Sequence, residues 1–278
     1  MTPLDDAGLV DRAQAGDRAA FETLVDRNRR PLRAVVRRLV GVPEDTDDLV
    51  QETLLRAWQG FSGFRGESAF GTWLCAVGTR LALDHLRRQR RWRVDAQVVY
   101  GNECYADEAM KAEVVGAIGS PDFMFEAREH IAYCLTCVGR SLPPEQHAAL
   151  TLRDMAGMSN REAAAALGVT QSVLRHHLAR AREAMTQAFE GLCSLVNKQG
   201  VCYQCKGLRE ATPEPRRGPP IPAIDLFLRR IEVARGADID AGASQAMHDL
   251  FWRRTAVQEA AGSGTDTPAA LCGQEDGA

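Results

Sequence analysis

Two Cys-x-x-Cys pairs, Cys134-Leu135-Thr136-Cys137 and Cys202-Tyr203-Gln204-Cys205, stand 64 residues apart in this 278-residue chain. Paired thiolates at that spacing can share a tetrahedral metal ion, close reversibly into a disulfide, or simply fill a core. The second pair lies between Gly200 and Gly207, the glycine-bounded form of a zinc knuckle, whereas the first falls on a predicted helix. Three readings stay open: one Zn2+ held by Cys134, Cys137, Cys202 and Cys205, a disulfide, or structural thiols. His130 and Cys193 are spare ligands nearby, Cys75 reads as buried core, and Cys104 and Cys272 have no assigned role.

A second constellation suits DNA. Ser159 with Glu162 three residues on forms a capping box that opens a short helix, Gly168 supplies a tight turn, and Thr170 caps a longer helix. That helix would bury Leu174, Leu178, Ala181, Met185 and Phe189, leaving Gln171, Ser172, Arg175, His176 and Arg180 outward. Short polar and guanidinium side chains at the start of the second helix are what major-groove reading requires. Upstream, residues 80–93 hold six arginines against Asp84, a balance of +5, just after Phe61, Phe64, Arg65, Phe70 and Trp73. Cations beside aromatic rings suit single-stranded DNA, because rings stack on bases while arginines neutralise phosphates. Phe70 and Trp73 fall on an apolar stripe and are expected in the core, which leaves Phe64 and Arg65 to touch a base. Finally, Glu44, Asp45, Asp47, Asp48 and Glu52 crowd the first turns of one helix, more acid than a helix dipole needs, and a basic protein surface is the expected target.

The elements that must carry these groups read as helices. With 45 % hydrophobic and only 6 % aromatic residues, a β-sandwich or barrel is disfavoured. Asp17 caps a helix whose apolar phase runs past Pro31, and Gly41-Val42-Pro43 breaks it. Gly60–Gly66 reads as a loop, and helix resumes from Ser68 to about Arg91. Residues 95–129 carry eight acids and two bases, a balance of −6 that with four interspersed Gly and Pro residues predicts a mobile acidic linker. Five prolines between Thr212 and Pro222 mark a second linker. Two amphipathic segments follow, one through Ile224, Phe227, Leu228 and Ile231 and one through Ala243, Met247, Leu250, Phe251 and Val257. The tail from Gly262 is expected to be disordered. The opening residues lack an export signal, and the longest uncharged stretches, 12 residues each, are too short to span a bilayer. The expectation is a cytoplasmic protein with no membrane partner.

Asp47-Asp48-Leu49-Val50-Gln51-Glu52 through Trp58 resembles the core-polymerase-binding helix of bacterial extracytoplasmic-function sigma factors of the sigma-70 family. Phe70-Gly71-Thr72-Trp73-Leu74 through Asp84-His85-Leu86-Arg87-Arg88 is similar to their segment that opens the −10 promoter element. Leu142-Pro143-Pro144-Glu145-Gln146 and the helix-turn-helix are similar to their −35-reading domain. The resemblance covers Ala15 to Glu190 in the family's order. It implies an all-α fold of two helical domains joined by the acidic linker, with a short C-terminal helical extension. Region 2 would occupy 1–94, the linker 95–128 and region 4 129–191. A cysteine segment would follow at 192–211, the proline linker at 212–222, and the extension with its tail at 223–278.

The same resemblance implies roles. Asp48, Leu49, Gln51 and Glu52 would meet core RNA polymerase. Phe64, Arg65 and Ser68 would capture a flipped −10 base, and Arg80, Asp84, Arg87 and Arg88 would touch the −10 strand. Thr170, Gln171, Ser172, Arg175, His176 and Arg180 would read the double-stranded −35 element. The protein would catalyse nothing. The family commonly ends near Glu190 and leaves control to an anti-sigma factor; here residues 191–278 follow, and a built-in regulator becomes an expectation. A stand-alone helix-turn-helix regulator would need neither the acidic helix nor the aromatic-basic segment, and a thiol oxidoreductase would bring a βαβ pattern that this sequence lacks.

Overall fold

The computed structural model describes residues 5–237, 239 and 242–260, with side chains as far as Thr255. Cys272 and the tail from Gly262 lie outside the described residues, as does the side chain of Val257.

Local chemistry sets the first helices. Asp5 caps α1 (Asp6–Gln14), and Asp17 caps α2 (Arg18–Val40) by accepting from the Ala20 amide. Helix α2 continues through Pro31, with Leu24, Leu32, Val36 and Leu39 completely buried. It stops at Gly41, whose φ of 85° a side chain would resist, and Pro43 restarts the chain as the first residue of α3 (Pro43–Gly60). A 3-10 turn at Phe61–Gly63 leads to α4 (Phe70–Arg88), which packs on α2 and α3.

The segment expected as a mobile linker is mostly helical: α5 (Ala96–Ala106) and α6 (Glu108–Gly119) form an antiparallel pair. Asp107 ends one and caps the next by accepting from the amides of Ala109 and Met110. Tertiary contacts override the glycines and charge: Tyr100 meets Phe251 edge-on at 5.0 Å, and Glu113 pairs with Arg254 at 2.7 Å.

Helix α7 (Ala127–Gly139) and α8 (Pro144–Leu150) follow, α8 running on as a π turn at Thr151–Met155. Then come α9 (Asn160–Leu167) and α10 (Gln171–Leu192). Helix α11 (Gln204–Ala211) begins within the second Cys-x-x-Cys pair, so Cys205 sits on a helical turn. The extension supplies α12 (Phe227–Arg235) and α13 (Gln245–Ala260). Among the described residues the one strand-like pairing is a parallel bridge between Cys193 and Cys202.

One continuous apolar core runs from Leu9 through α2, α4, α7 and α10 to Trp252 of α13. The two expected domains and the extension therefore share a core.

Candidate nucleic-acid and polymerase interface

The helix-turn-helix is built as its sequence demands. Ser159 and Glu162 make both bonds of the capping box, Gly168 turns the chain at φ 69° in the left-handed region, and the Thr170 hydroxyl accepts from the Val173 amide. Leu174, Leu178, Ala181, Met185 and Phe189 are buried, while Thr170, Gln171, Ser172, Arg175, His176 and Arg180 are exposed on one end of α10. Those six side chains form a polar, cationic face open to solvent.

Four of the −10 candidates, Phe64, Arg65, Ser68 and Arg80, line a groove of about 770 Å³ together with Trp73, whereas Asp84, Arg87 and Arg88 lie outside it. Its far wall is α9, through Arg161, Glu162, Ala165 and Ala166. Arg80 donates to the carbonyls of Ala166 at 3.1 Å and Ala165 at 3.0 Å, satisfying acceptors that a helix C-terminus leaves free. Arg87 donates twice to Glu145 of α8, at 3.0 and 2.9 Å, and also pairs with Asp84. Arg65, Asp84 and Arg88 are exposed.

Phe64 departs from the expectation. It is 5 % exposed, stacked 5.9 Å from Phe61 and tilted against Trp73 at 5.1 Å, and belongs to the core. The 3-10 turn folds the loop inward, and burying a phenyl ring on three others outweighs leaving it ready for a base. Arg65 and Ser68 remain accessible at the rim.

On α3, Asp48 and Gln51 are exposed and Leu49 and Glu52 half-buried, with Leu55 and Trp58 adding apolar surface at 60 % and 42 % exposure. Glu52 pairs with Arg56 one turn on. The N-terminal end of this helix is already engaged: Arg253 of α13 pairs with Glu44 at 2.7 Å and holds its carboxyl below the usual range.

The extension reaches both halves of the chain. Arg37 of α2, fully buried, pairs with Asp249 of α13, and Arg38 donates to the Ala237 carbonyl at 3.1 Å beyond α12. Trp252, 1 % exposed, lies against Gly41, where a Cβ would collide with its ring, and stacks 4.7 Å from Trp92. On α7, Glu129 accepts from the amides of Ala243 and Ser244, capping α13 from outside, and the Tyr133 hydroxyl donates to the Ile239 carbonyl. His248 stacks on Tyr133 at 3.7 Å and meets His130 at 2.8 Å. Burial pushes both imidazoles down, His130 to about 4, so the pair is neutral at pH 7.

These contacts were hidden from pattern reading. The expected inner face ran through Ala243, Met247, Leu250, Phe251 and Val257; Met247 is buried, but Ala243 is exposed, Leu250 and Phe251 are half-buried, and His248, Asp249, Trp252 and Thr255 are buried instead. A Trp beside charged residues (Asp249-Leu250-Phe251-Trp252-Arg253-Arg254) is the one signal that could have marked them.

Both Cys-x-x-Cys pairs do meet. Cys134, Cys137, Cys202 and Cys205 line one cavity of about 180 Å³ with Cys104, Cys193 and Arg230. Among the described residues, however, no three Cys, His, Asp or Glu side chains are placed to hold a metal ion, so the four-thiolate zinc clasp finds no support. Burial instead pushes the Cys134 thiol well above its ordinary value and the Cys205 thiol to about 12, so these two stay protonated at the wall. Cys75 is buried core as expected.

A helix-turn-helix with an exposed cationic face, an aromatic-basic groove and an acidic helix on one helical chain suit a promoter-recognising initiation factor. Residues 24–92 match the Sigma-70 region 2 model and 134–185 the Sigma-70 region 4 model. The chain is 30 % identical over 194 residues to the RNA polymerase sigma-H factor of Pseudomonas aeruginosa, covering 69 % of this chain and 97 % of that protein. It is 33 % identical over 192 residues to the ECF RNA polymerase sigma-E factor of Escherichia coli, covering 68 % and 96 %. A solved structure of CnrH in complex with the cytosolic domain of CnrY is similar at 24 % identity, covering 66 % and 97 %, with a TM-score of 0.46. The chain belongs to the sigma-70 family, as an extracytoplasmic-function factor: it binds core RNA polymerase and promoter DNA, directs promoter-specific initiation, and is not an enzyme. No described helix is long and apolar enough to cross a membrane.

Proposed function

We propose that this sigma factor is held closed by its own C-terminal extension, acting in the cytoplasm where polymerase works. One observation carries the reading: Arg80 and Arg87, whose donors suit the −10 strand, spend them on α9 and α8. Region 2 and region 4 must separate before those arginines can meet phosphates, because one donor cannot serve both. The extension opposes separation, since α13 holds Arg37 while α12 packs on α7 and α10. Run-off transcription with core polymerase tests this. Truncation after Gly207 is expected to raise promoter opening by about tenfold or more, the worth of a single lost contact of ~1.4 kcal/mol. Equal activity of the whole and truncated chains would remove the regulator.

Within the open factor, α10 reads the −35 element and α4 follows the −10 strand. Arg175→Ala is expected to cost about 1–3 kcal/mol at particular −35 bases and relax specificity there. Arg88→Ala should weaken binding about equally across sequences and lower the salt dependence. Binding isotherms on a promoter library at several salt concentrations separate the two; the same uniform loss from both would refute the division. Arg65 and Ser68 serve the captured base from the groove rim, with Phe64 supporting the floor rather than stacking on DNA.

A further inference from the structure

Arg230 is a guanidinium in the wrong place for a structural arginine. It is 1 % exposed, on the inner face of α12, and its Cζ lies 4.1 Å from the centre of the Phe189 ring. Its Nε has no hydrogen-bond partner, and among the described residues no carboxylate pairs with it. Removing an unpaired cation from water costs several kcal/mol. The one bond from its Nη2 goes to the Cys193 sulfur, 2.7 Å away. That sulfur is the group in contact that can carry a compensating negative charge. A thiolate seated against arginine at a cavity wall is the arrangement in which cysteines react with electrophiles.

A partner thiol stands beside it. The Cys202 amide donates to the Leu192 carbonyl at 2.7 Å and the Ser194 amide to the Cys202 carbonyl at 3.2 Å, which pairs Cys193 with Cys202 in a parallel bridge. Bridged strands lie about 4.8 Å apart with paired side chains on one face. Disulfides span Cα separations of about 4.4–6.8 Å, a range that includes the spacing of bridged strands. Gly200 permits the approach, because a Cβ there would strike the backbone of Cys193 and Ser194. Both sulfurs face the 180 Å³ cavity, whose walls are largely apolar.

We propose that Cys193 is an oxidation site for hydroperoxides, with Cys202 as its resolving thiol and Arg230 as the residue that positions the sulfur. The Cys193 sulfur gives up its proton and attacks the terminal oxygen of the hydroperoxide, and the O–O bond breaks. The departing alkoxide takes up the proton that Cys193 gave up and leaves as the alcohol, or as water from hydrogen peroxide. The Cys202 sulfur then attacks the sulfenic sulfur; the S–S bond forms, the S–O bond breaks, and hydroxide leaves as water with the Cys202 proton. Two thiols have lost two electrons and one peroxide has gained them. Once bonded to Cys202 the Cys193 sulfur is a weaker acceptor for Arg230, and α12 loses part of its hold on the end of α10. Release of the closed state by this step rests on the regulatory reading above.

The test uses the reduced, whole chain with stoichiometric hydrogen peroxide in one arm and cumene hydroperoxide in the other. Peptide mass spectrometry should find an intrachain Cys193–Cys202 disulfide in both arms, with cumene hydroperoxide the faster if the apolar cavity admits it. Cys202→Ser should stop the reaction at a sulfenic acid on Cys193, trapped by dimedone, and Cys193→Ser should abolish it. Arg230→Met should slow Cys193 oxidation by about tenfold or more. Should that variant misfold, the comparison of Cys193 with the other thiols of the folded wild-type chain decides the matter. Oxidation starting at Cys134 or Cys205, a disulfide joining Cys193 elsewhere, or a stoichiometric metal on these sulfurs would overturn the site. Run-off transcription of the oxidised chain is read separately. If the disulfide forms and transcription stays unchanged, the coupling to closure fails while the oxidation site stands.

Discussion

Replacing Asp48 and Glu52 together by lysine is expected to abolish capture of core RNA polymerase while leaving the circular dichroism spectrum unchanged. Truncating one partner of a buried interfacial charge pair costs about 2–5 kcal/mol, and reversal adds repulsion to that loss. A fall in affinity of about a thousandfold or more is therefore expected. The fold should not notice. Asp48 is exposed, and Glu52 gives up only an i,i+4 pair with Arg56, worth about 0.3–0.5 kcal/mol. The apolar side of the same helix, with Val50 and Ala57 in the core, is untouched. Undiminished co-purification of polymerase with the doubly reversed chain would place the contact elsewhere. Because Arg253 already holds Glu44 at the start of α3, the contrast should be measured in the whole and truncated chains alike.

Which parts of this molecule can be read from sequence follows from the range of the interactions that build them. The helix-turn-helix rests on bonds spanning three residues, from Ser159 to Glu162 and Thr170 to Val173, and on a buried stripe at helical spacing from Leu174 to Phe189. Such features are written in consecutive letters. The acidic segment was opaque for the opposite reason: its composition favours solvent, and α5 and α6 are helical against partners in α7 and α13. Phe64 shows a subtler failure. Its loop is polar and glycine-rich, and only the aromatic cluster assembled from α2 and α4 draws the ring inside. Arg37 with Asp249 lies beyond any local pattern, since 212 residues separate the pair. Arg230 is the extreme case. In sequence it is one of two adjacent arginines on an amphipathic segment, and only the fold delivers it to a sulfur.

The closed state can be challenged at a single side chain. Trp252→Ala removes a fully buried indole from the seam between α13 and the end of α2, where it lies over Gly41 and against Trp92 and Phe251. Substitutions of this kind cost about 3–5 kcal/mol. Trp252 forms the α13 end of the shared core, so the loss is expected to fall first on docking of the extension. A shift of that size raises the undocked population by about two to three and a half orders of magnitude, at about 1.4 kcal/mol per factor of ten. Limited proteolysis should then cleave within residues 212–226 much faster than in the wild type, and transcription should rise toward that of the truncated chain. Undocking also parts Arg37 from Asp249, while its bond to the Gly41 carbonyl within the same stretch of chain can persist. Faster cleavage with no gain in transcription would separate docking from control: the extension would then be a lid over the cysteine cavity, and Arg80 and Arg87 would leave α9 and α8 for DNA without its release.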